Sequence, residues 1–195
     1  MLTKQAKTLS TQQINKMLEH LSGTRYPTRN RVCFLASVFG GMRSKEISEL
    51  KWGMVQDPEG NFSDSIHLPN NASKGKSGGR VIPLHPSLRA ALELLKDEQE
   101  RTEPDHYVIQ TAQNSHPTAA TITQMFQTWY KRLGFSGCSS HSGRRTFGTR
   151  AAQQIVKAGG TLLDVKMLLG HSSIQCTMRY IDQDSDAARK AVLMM

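Results

Sequence analysis

The sequence predicts a mainly α-helical fold with one small antiparallel β-sheet, of the α+β class. Three observations carry that prediction: four apolar stripes at helical spacing, two alternating segments flanking a turn-rich stretch, and a C-terminal third that is helical except at glycines. Ile14, Met17, Leu18 and Leu21 mark the first helix, opened by Ser10 and Gln13 as a capping box. Val32, Leu35, Ala36 and Phe39 mark the second, with Cys33 as a small core residue. Ser65-Ile66-His67-Leu68 and Arg80-Val81-Ile82-Pro83-Leu84 read as the strands of a hairpin, with a third short strand around Met54-Val55-Gln56. Leu88, Ala91, Leu92 and Leu95 form a third helical stripe after Pro86-Ser87. Ile122, Met125, Phe126 and Trp129 form a fourth after Pro117-Thr118. From Ser140 onward the pattern is helical, with breaks at Gly159-Gly160 and Gly170.

A chain of 195 residues, 37% of them hydrophobic, suits one domain with a real core rather than a disordered tract. Its 25 Lys+Arg against 16 Asp+Glu give a formal charge of +9, which favours a polyanionic partner, nucleic acid or an anionic membrane surface. No apolar run approaches the roughly 18 residues needed to span a bilayer, and the N-terminus lacks a signal peptide's apolar stretch. Three cysteines (Cys33, Cys138 and Cys176) without CxxC spacing argue against a disulfide framework or a zinc site. Free thiols fit a reducing compartment, so an intracellular, cytoplasmic protein is expected.

Three polar signatures remain after the core is assigned. Gly41-Met42-Arg43-Ser44-Lys45-Glu46 sets an arginine at a turn between helices. His141-Ser142-Gly143-Arg144-Arg145-Thr146-Phe147 spaces His and Arg on one face of a helix's first turn, where backbone N–H groups favour an anion. In Leu168-Leu169-Gly170-His171, Gly170 fits a helix C-cap that leaves His171 at a loop mouth, and Tyr180 follows after a further short stretch.

In this order the signatures resemble the catalytic domain of the tyrosine recombinases, the phage-integrase family. That family carries an Arg in a G-x-R-x-x-E turn, a hairpin Lys, an H-x-x-R pair, a second His in an L-G-H segment and a nucleophilic Tyr. The matching positions are Arg43, Lys74 (with Lys76 as alternative), His141, Arg144, His171 and Tyr180, and the likeness runs from about Leu9 to Tyr180. Each residue alone has a plainer reading. Tyr180 reads as a half-buried core tyrosine, His171 as a cap interaction, and Arg43 with Glu46 as a surface ion pair. Their joint occurrence in order, on a basic chain, outweighs those readings. Glu46 keeps a structural role, orienting Arg43 or capping its helix.

The resemblance implies site-specific cutting and rejoining of double-stranded DNA, in integration or recombination such as that of a mobile genetic element. Phosphodiester exchange builds negative charge on non-bridging oxygens, which two guanidiniums clamp with bidentate bonds. Arg43 and Arg144 take that part. The Tyr180 hydroxyl, ordinarily titrating near 10, attacks phosphorus to leave a 3′-phosphotyrosyl link. Lys74 protonates the leaving 5′-oxygen, His141 helps accept the tyrosine proton, and His171 hydrogen-bonds a phosphate oxygen. No metal, nucleotide or other cofactor is implied, nor any membrane partner.

Two departures from the family's pattern stand out. Its usual H-x-L-R-H reads His-Ser-Gly-Arg-Arg here, with Gly143 for an apolar residue and Arg145 for His. Residues 1–195 read as a single catalytic domain with a tail from about 182, without the N-terminal core-binding domain of most members, and so as either a fragment or a small single-domain member resembling fimbrial-type invertases. The tail's stripe from Ala187 to Leu193 is the expected contact of a homo-oligomer, a tetramer on DNA. Rival readings are a type IB topoisomerase-like nicking-closing enzyme and a non-catalytic DNA-binding regulator derived from a recombinase. A helix-turn-helix repressor is disfavoured, because no recognition-helix signature is present.

Overall fold

The first helix, α1 (Thr11–Ser22), starts at the capping box read from the sequence. Ser10 accepts from the Gln13 N–H, and the Gln13 side chain accepts from the Ser10 N–H. In the computed structural model, which describes residues 5–70, 79–112 and 116–180, α1 buries Ile14, Met17 and Leu21 along one face. The second helix, α2 (Pro27–Gly40), departs from the simple stripe. Val32, Cys33, Phe34, Leu35, Ala36 and Val38 are all buried, while Phe39 is half-buried and stacks on His85 at 4.0 Å. The helix carries no charge after Arg31, and other helices surround it, so no face needs to be polar.

After α3 (Ser44–Ser48) the chain makes one 3-10 turn at Trp52–Met54 instead of the third strand expected there. Its backbone is taken by another segment: the Trp52 N–H donates to His106 O at 3.0 Å and the Gly53 N–H to Pro104 O at 2.9 Å. A Cβ at Gly53 would lie 2.9 Å from Pro104 Cβ, so the two segments meet only because residue 53 is glycine. Gln56 keeps a single bridge, to Phe62.

Strands β1 (Ser65–Leu68) and β2 (Arg80–Pro83) pair antiparallel, with Ile66 opposite Ile82 and Leu68 opposite Arg80. The two-residue alternation turns all four of those residues inward. Helix α4 (Pro86–Glu98) opens with His85 as N-cap and Pro86 in its first turn, and α5 (Ala119–Arg132) with Thr118 accepting from the Thr121 N–H. Both bury the predicted stripes against α2 and α3. Removing one of the large fully buried rings, Phe34 or Phe126, would cost about 3–5 kcal/mol.

The C-terminal third is helical as expected: α6 (Ser142–Ile155), α7 (Leu162–Leu169) and α8 (Ile174–Met178). α6 lies on α2 at very short range, because a Cβ on Gly143 would sit 2.3 Å from Ser37 Oγ and 2.9 Å from Ser37 Cβ. The departure at Gly143 therefore has a packing cause. Arg145 donates to Ala6 O at 3.1 Å, tying the N-terminal segment to α6. The tail stripe lies outside the described residues, among which no helix is long and apolar enough to cross a membrane.

Candidate active site

The site forms where α2, β2, α6 and α7 bring their ends together around one carboxylate. Glu46, fully buried in α3, accepts from the Arg43 N–H at 2.7 Å and from Arg43 Nη1 at 2.8 Å. It thus performs both structural tasks expected of it, capping α3 and orienting Arg43. The same carboxylate accepts from Arg80 Nη2 at 2.7 Å, and Arg144 Nη1 stands 3.8 Å from it. Three guanidiniums face one carboxylate, so the cluster carries an excess of positive charge. Side-chain exposure is 25% for Arg43 but only 4% for Arg80 and 5% for Arg144, so Arg43 is the member that meets solvent.

Helix ends explain how two arginines stay buried. The last four carbonyls of an α-helix lack intrahelical partners. In α7 the C-cap is a Schellman motif: Gly170, at φ +58°, donates to Met167 O, and the His171 N–H donates to Lys166 O. The remaining two carbonyls go to the cluster, Leu168 O accepting from Arg80 Nη1 and Leu169 O from Arg144 Nη2. Arg144 Nη1 also donates to Gly41 O at 2.5 Å, and Arg80 Nη2 to the same oxygen at 3.3 Å. Gly41 ends α2 at φ +58°, where a Cβ would strike the Phe147 ring at 2.4 Å. Cations at the negative ends of α2 and α7 are thus held by full charge-assisted bonds, each worth about 1.5–3 kcal/mol.

Burial pulls the Arg144 guanidinium down to about 9, with the Arg43 and Arg80 charges adding to it, and it remains a cation at neutral pH. His171 responds to the same surroundings. Desolvation first, then the fields of Arg144, Arg43 and Arg80, lower it to about 4, so its ring is neutral at pH 7. Its Nδ1 lies 2.9 Å from the hydroxyl of the buried Thr177, and its ring stacks on Tyr180 at 5.7 Å between centroids. The short α8 closes the gap between His171 and Tyr180, whose N–H donates to Thr177 O at 3.0 Å.

The structure therefore gathers Arg43, Arg144, His171 and Tyr180 into one region. His141 is the N-cap of α6 and exposed, one turn from the buried Arg144. Among the described residues no hydrogen bond joins its ring to the cluster. Lys74 and Lys76 belong to the stretch between β1 and β2, outside the described residues. Arg80 and Thr177 were not singled out from sequence. The signal for Arg80 was its position two residues before Ile82, which puts a charge on the inward face of a strand and demands a buried acidic partner. Thr177 gave no comparable signal.

A cationic, partly water-shielded cluster beside an imidazole and a phenol has the chemistry to hold an oxyanion next to a nucleophile. The chain belongs to the phage integrase family, whose model, described as "Phage integrase family", matches residues 7–186. It is 25% identical over 180 residues to tyrosine recombinase XerC of Actinobacillus succinogenes, covering 91% of this chain and 57% of that protein. It is also 24% identical over 164 residues to the probable integrase/recombinase YoeC of Bacillus subtilis, covering 84% of each. The chain thus spans little more than half the length of XerC. Among solved structures, the Tn1549 transposon integrase in complex with a circular intermediate DNA matches with a TM-score of 0.76 at 21% identity, over 100% of this chain and 67% of that one. The XerH site-specific recombinase bound to its difH substrate matches with a TM-score of 0.72 at 21% identity, over 98% and 55% of the respective chains. Those structural matches establish a shared fold.

Proposed function

We propose that residues 1–195 act as the catalytic domain of a site-specific DNA recombinase that works inside the cell through a covalent 3′-phosphotyrosyl intermediate. The supporting observation is the Glu46-centred arginine cluster beside the stacked His171 and Tyr180. The scissile phosphate binds at Arg43 and Arg144, whose unused guanidinium protons hold its non-bridging oxygens. With the Thr177 hydroxyl donating to Nδ1, neutral His171 carries its proton on Nε2 and donates to a phosphate oxygen. Tyr180 Oη attacks phosphorus: the Oη–P bond forms, the P–O5′ bond breaks, and His141 helps remove the phenolic proton. Lys74, or Lys76 in its place, protonates the departing 5′-oxygen. A 5′-hydroxyl of the partner strand then reverses the step, restoring the phosphodiester and the phenol with no external energy source. Four protomers on paired half-sites, coupled through the tail from 182, complete strand exchange.

The test is to incubate the protein with a supercoiled plasmid library carrying a randomised insert, trap covalent adducts and sequence their ends. Protein joined to 3′ ends through the tryptic peptide containing Tyr180, absent in Tyr180→Phe, is the expected result. Adducts on another residue or on 5′ ends would overturn the assignment. Relaxed plasmid with no exchange between two recovered sites would make the chain a nicking-closing enzyme instead.

A further inference from the structure

Tyr180 stands against a turn in the middle of α6 where a side chain is missing. A Cβ built on Gly148 would lie 2.8 Å from Tyr180 Cδ1 and 2.9 Å from Cε1, and 3.2 Å from Leu169 Cδ1. Gly148 is buried in the middle of α6, where glycine weakens a helix relative to alanine. Its φ is not in the left-handed region, so backbone conformation does not require glycine there. The space is taken by an aromatic ring, and the ring is the proposed nucleophile's.

Geometry makes this seat specific. Arg144 and Gly148 are four residues apart on α6 and share a face one helical turn apart. Leu169, whose side chain borders the seat, is the residue whose carbonyl receives Arg144 Nη2. The Tyr180 ring also stacks on His171 at an interplanar angle of 16°. The ring thus meets both the bare turn of α6 and the His171 imidazole, with Arg144, the proposed phosphate clamp, one turn along the same face of α6.

We propose that Gly148 is a positioning residue for the reaction: its missing side chain lets the Tyr180 ring lie flush on α6, setting the phenol's approach to the phosphate held by Arg144. This rests on Tyr180 being the nucleophile. An added methyl would push the ring away by about half an ångström or more. Displacements on that scale in a reacting group cost up to about a hundredfold in rate.

The experiment compares wild type with Gly148→Ala in two arms. Without DNA, protein carrying ring-labelled tyrosine and histidine is followed by NMR, with Tyr180 and His171 assigned from Tyr180→Phe and His171→Asn. Gly148→Ala should move the Tyr180 and His171 ring signals and leave those of Tyr26, Tyr107 and Tyr130 in place. An unmoved Tyr180 signal overturns the proposal whether or not the chain is a recombinase. In the second arm, a duplex recovered in the plasmid library is the probe. Single-turnover adduct formation should fall at least about tenfold with DNA affinity within about twofold of wild type. Normal adduct formation, or parallel loss of affinity and cleavage, overturns it. If wild type forms no adduct, the recombinase reading fails while the first arm still reports on the seat. A variant that unfolds is covered by the Tyr180→Ala background, where the ring is gone. There Gly148→Ala should leave the melting temperature unchanged or higher, and a drop would place the clash elsewhere.

Discussion

Arg144 shows why a single residue type is needed at this site. It is buried, lowered to about 9, and still charged at neutral pH, while two of its donors are committed to Gly41 O and Leu169 O. A lysine has no planar fork with which to bridge those carbonyls and a phosphate together. Arg144→Lys and Arg43→Lys should each slow adduct formation by about 10²–10³-fold, the range for losing one transition-state donor. Gel-shift affinity for the recovered duplex should change far less, and near-normal cleavage in either variant would remove that arginine from the clamp. His171 offers a pH signature. Its folded value near 4 lies below the ordinary 6.5, so the unfolded chain binds the proton more readily. The contribution of neutral His171 to stability is therefore full above about pH 6.5 and is lost as pH falls toward 4. The melting temperature of wild type should drop relative to His171→Asn across that window. With DNA bound, phosphate charge opposes the arginines' field, and His171 should titrate higher by NMR.

At the scale of elements, contact distance is set by what is absent. α6 approaches α2 through Gly143 against Ser37, and among the described residues the buried Ser37 Oγ has no hydrogen-bond partner. Gly143→Ala must push Ser37 and its backbone aside, so it should cost about 1–3 kcal/mol in urea unfolding. A neutral result would mean the helices slide past each other freely. The sequence shows that α6 exists and begins near His141, yet it cannot show that residue 143 must be small, because the constraint comes from a residue 106 positions earlier. The third strand failed for a related reason. The short strand expected around Met54-Val55-Gln56 was overruled by backbone bonds from Trp52 and Gly53 to the 104–106 segment.

For the molecule as a whole, a net +9 is gathered partly into one buried cluster, where three arginines meet Glu46. The cluster joins α2, α3, β2, α6 and α7, so its balance of charge bears on the entire fold. Removing one side of a buried ion pair typically costs about 3–5 kcal/mol, because the charge left behind has neither partner nor water. Glu46→Ala should destabilise by that order, and sulfate should restore more melting temperature to the variant than chloride at equal ionic strength. Equal effects of the two salts would mean the cluster does not receive an anion.

Residues by themselves determined the helices, their caps, the hairpin and the identity of Arg43, Arg144, His171 and Tyr180 as the candidates. Those features follow from local rules: apolar period, capping chemistry and the order of polar residues along the chain. Only the tertiary structure decided that Arg80 joins the cluster and that Thr177 orients His171. It also decided that Glu46 serves three arginines rather than one, and that Gly143 and Gly148 are spaces for Ser37 and Tyr180. Each of these depends on which distant groups share a small buried volume. There, an unsatisfied carbonyl, an unpaired charge or one extra methyl costs more than any local preference supplies.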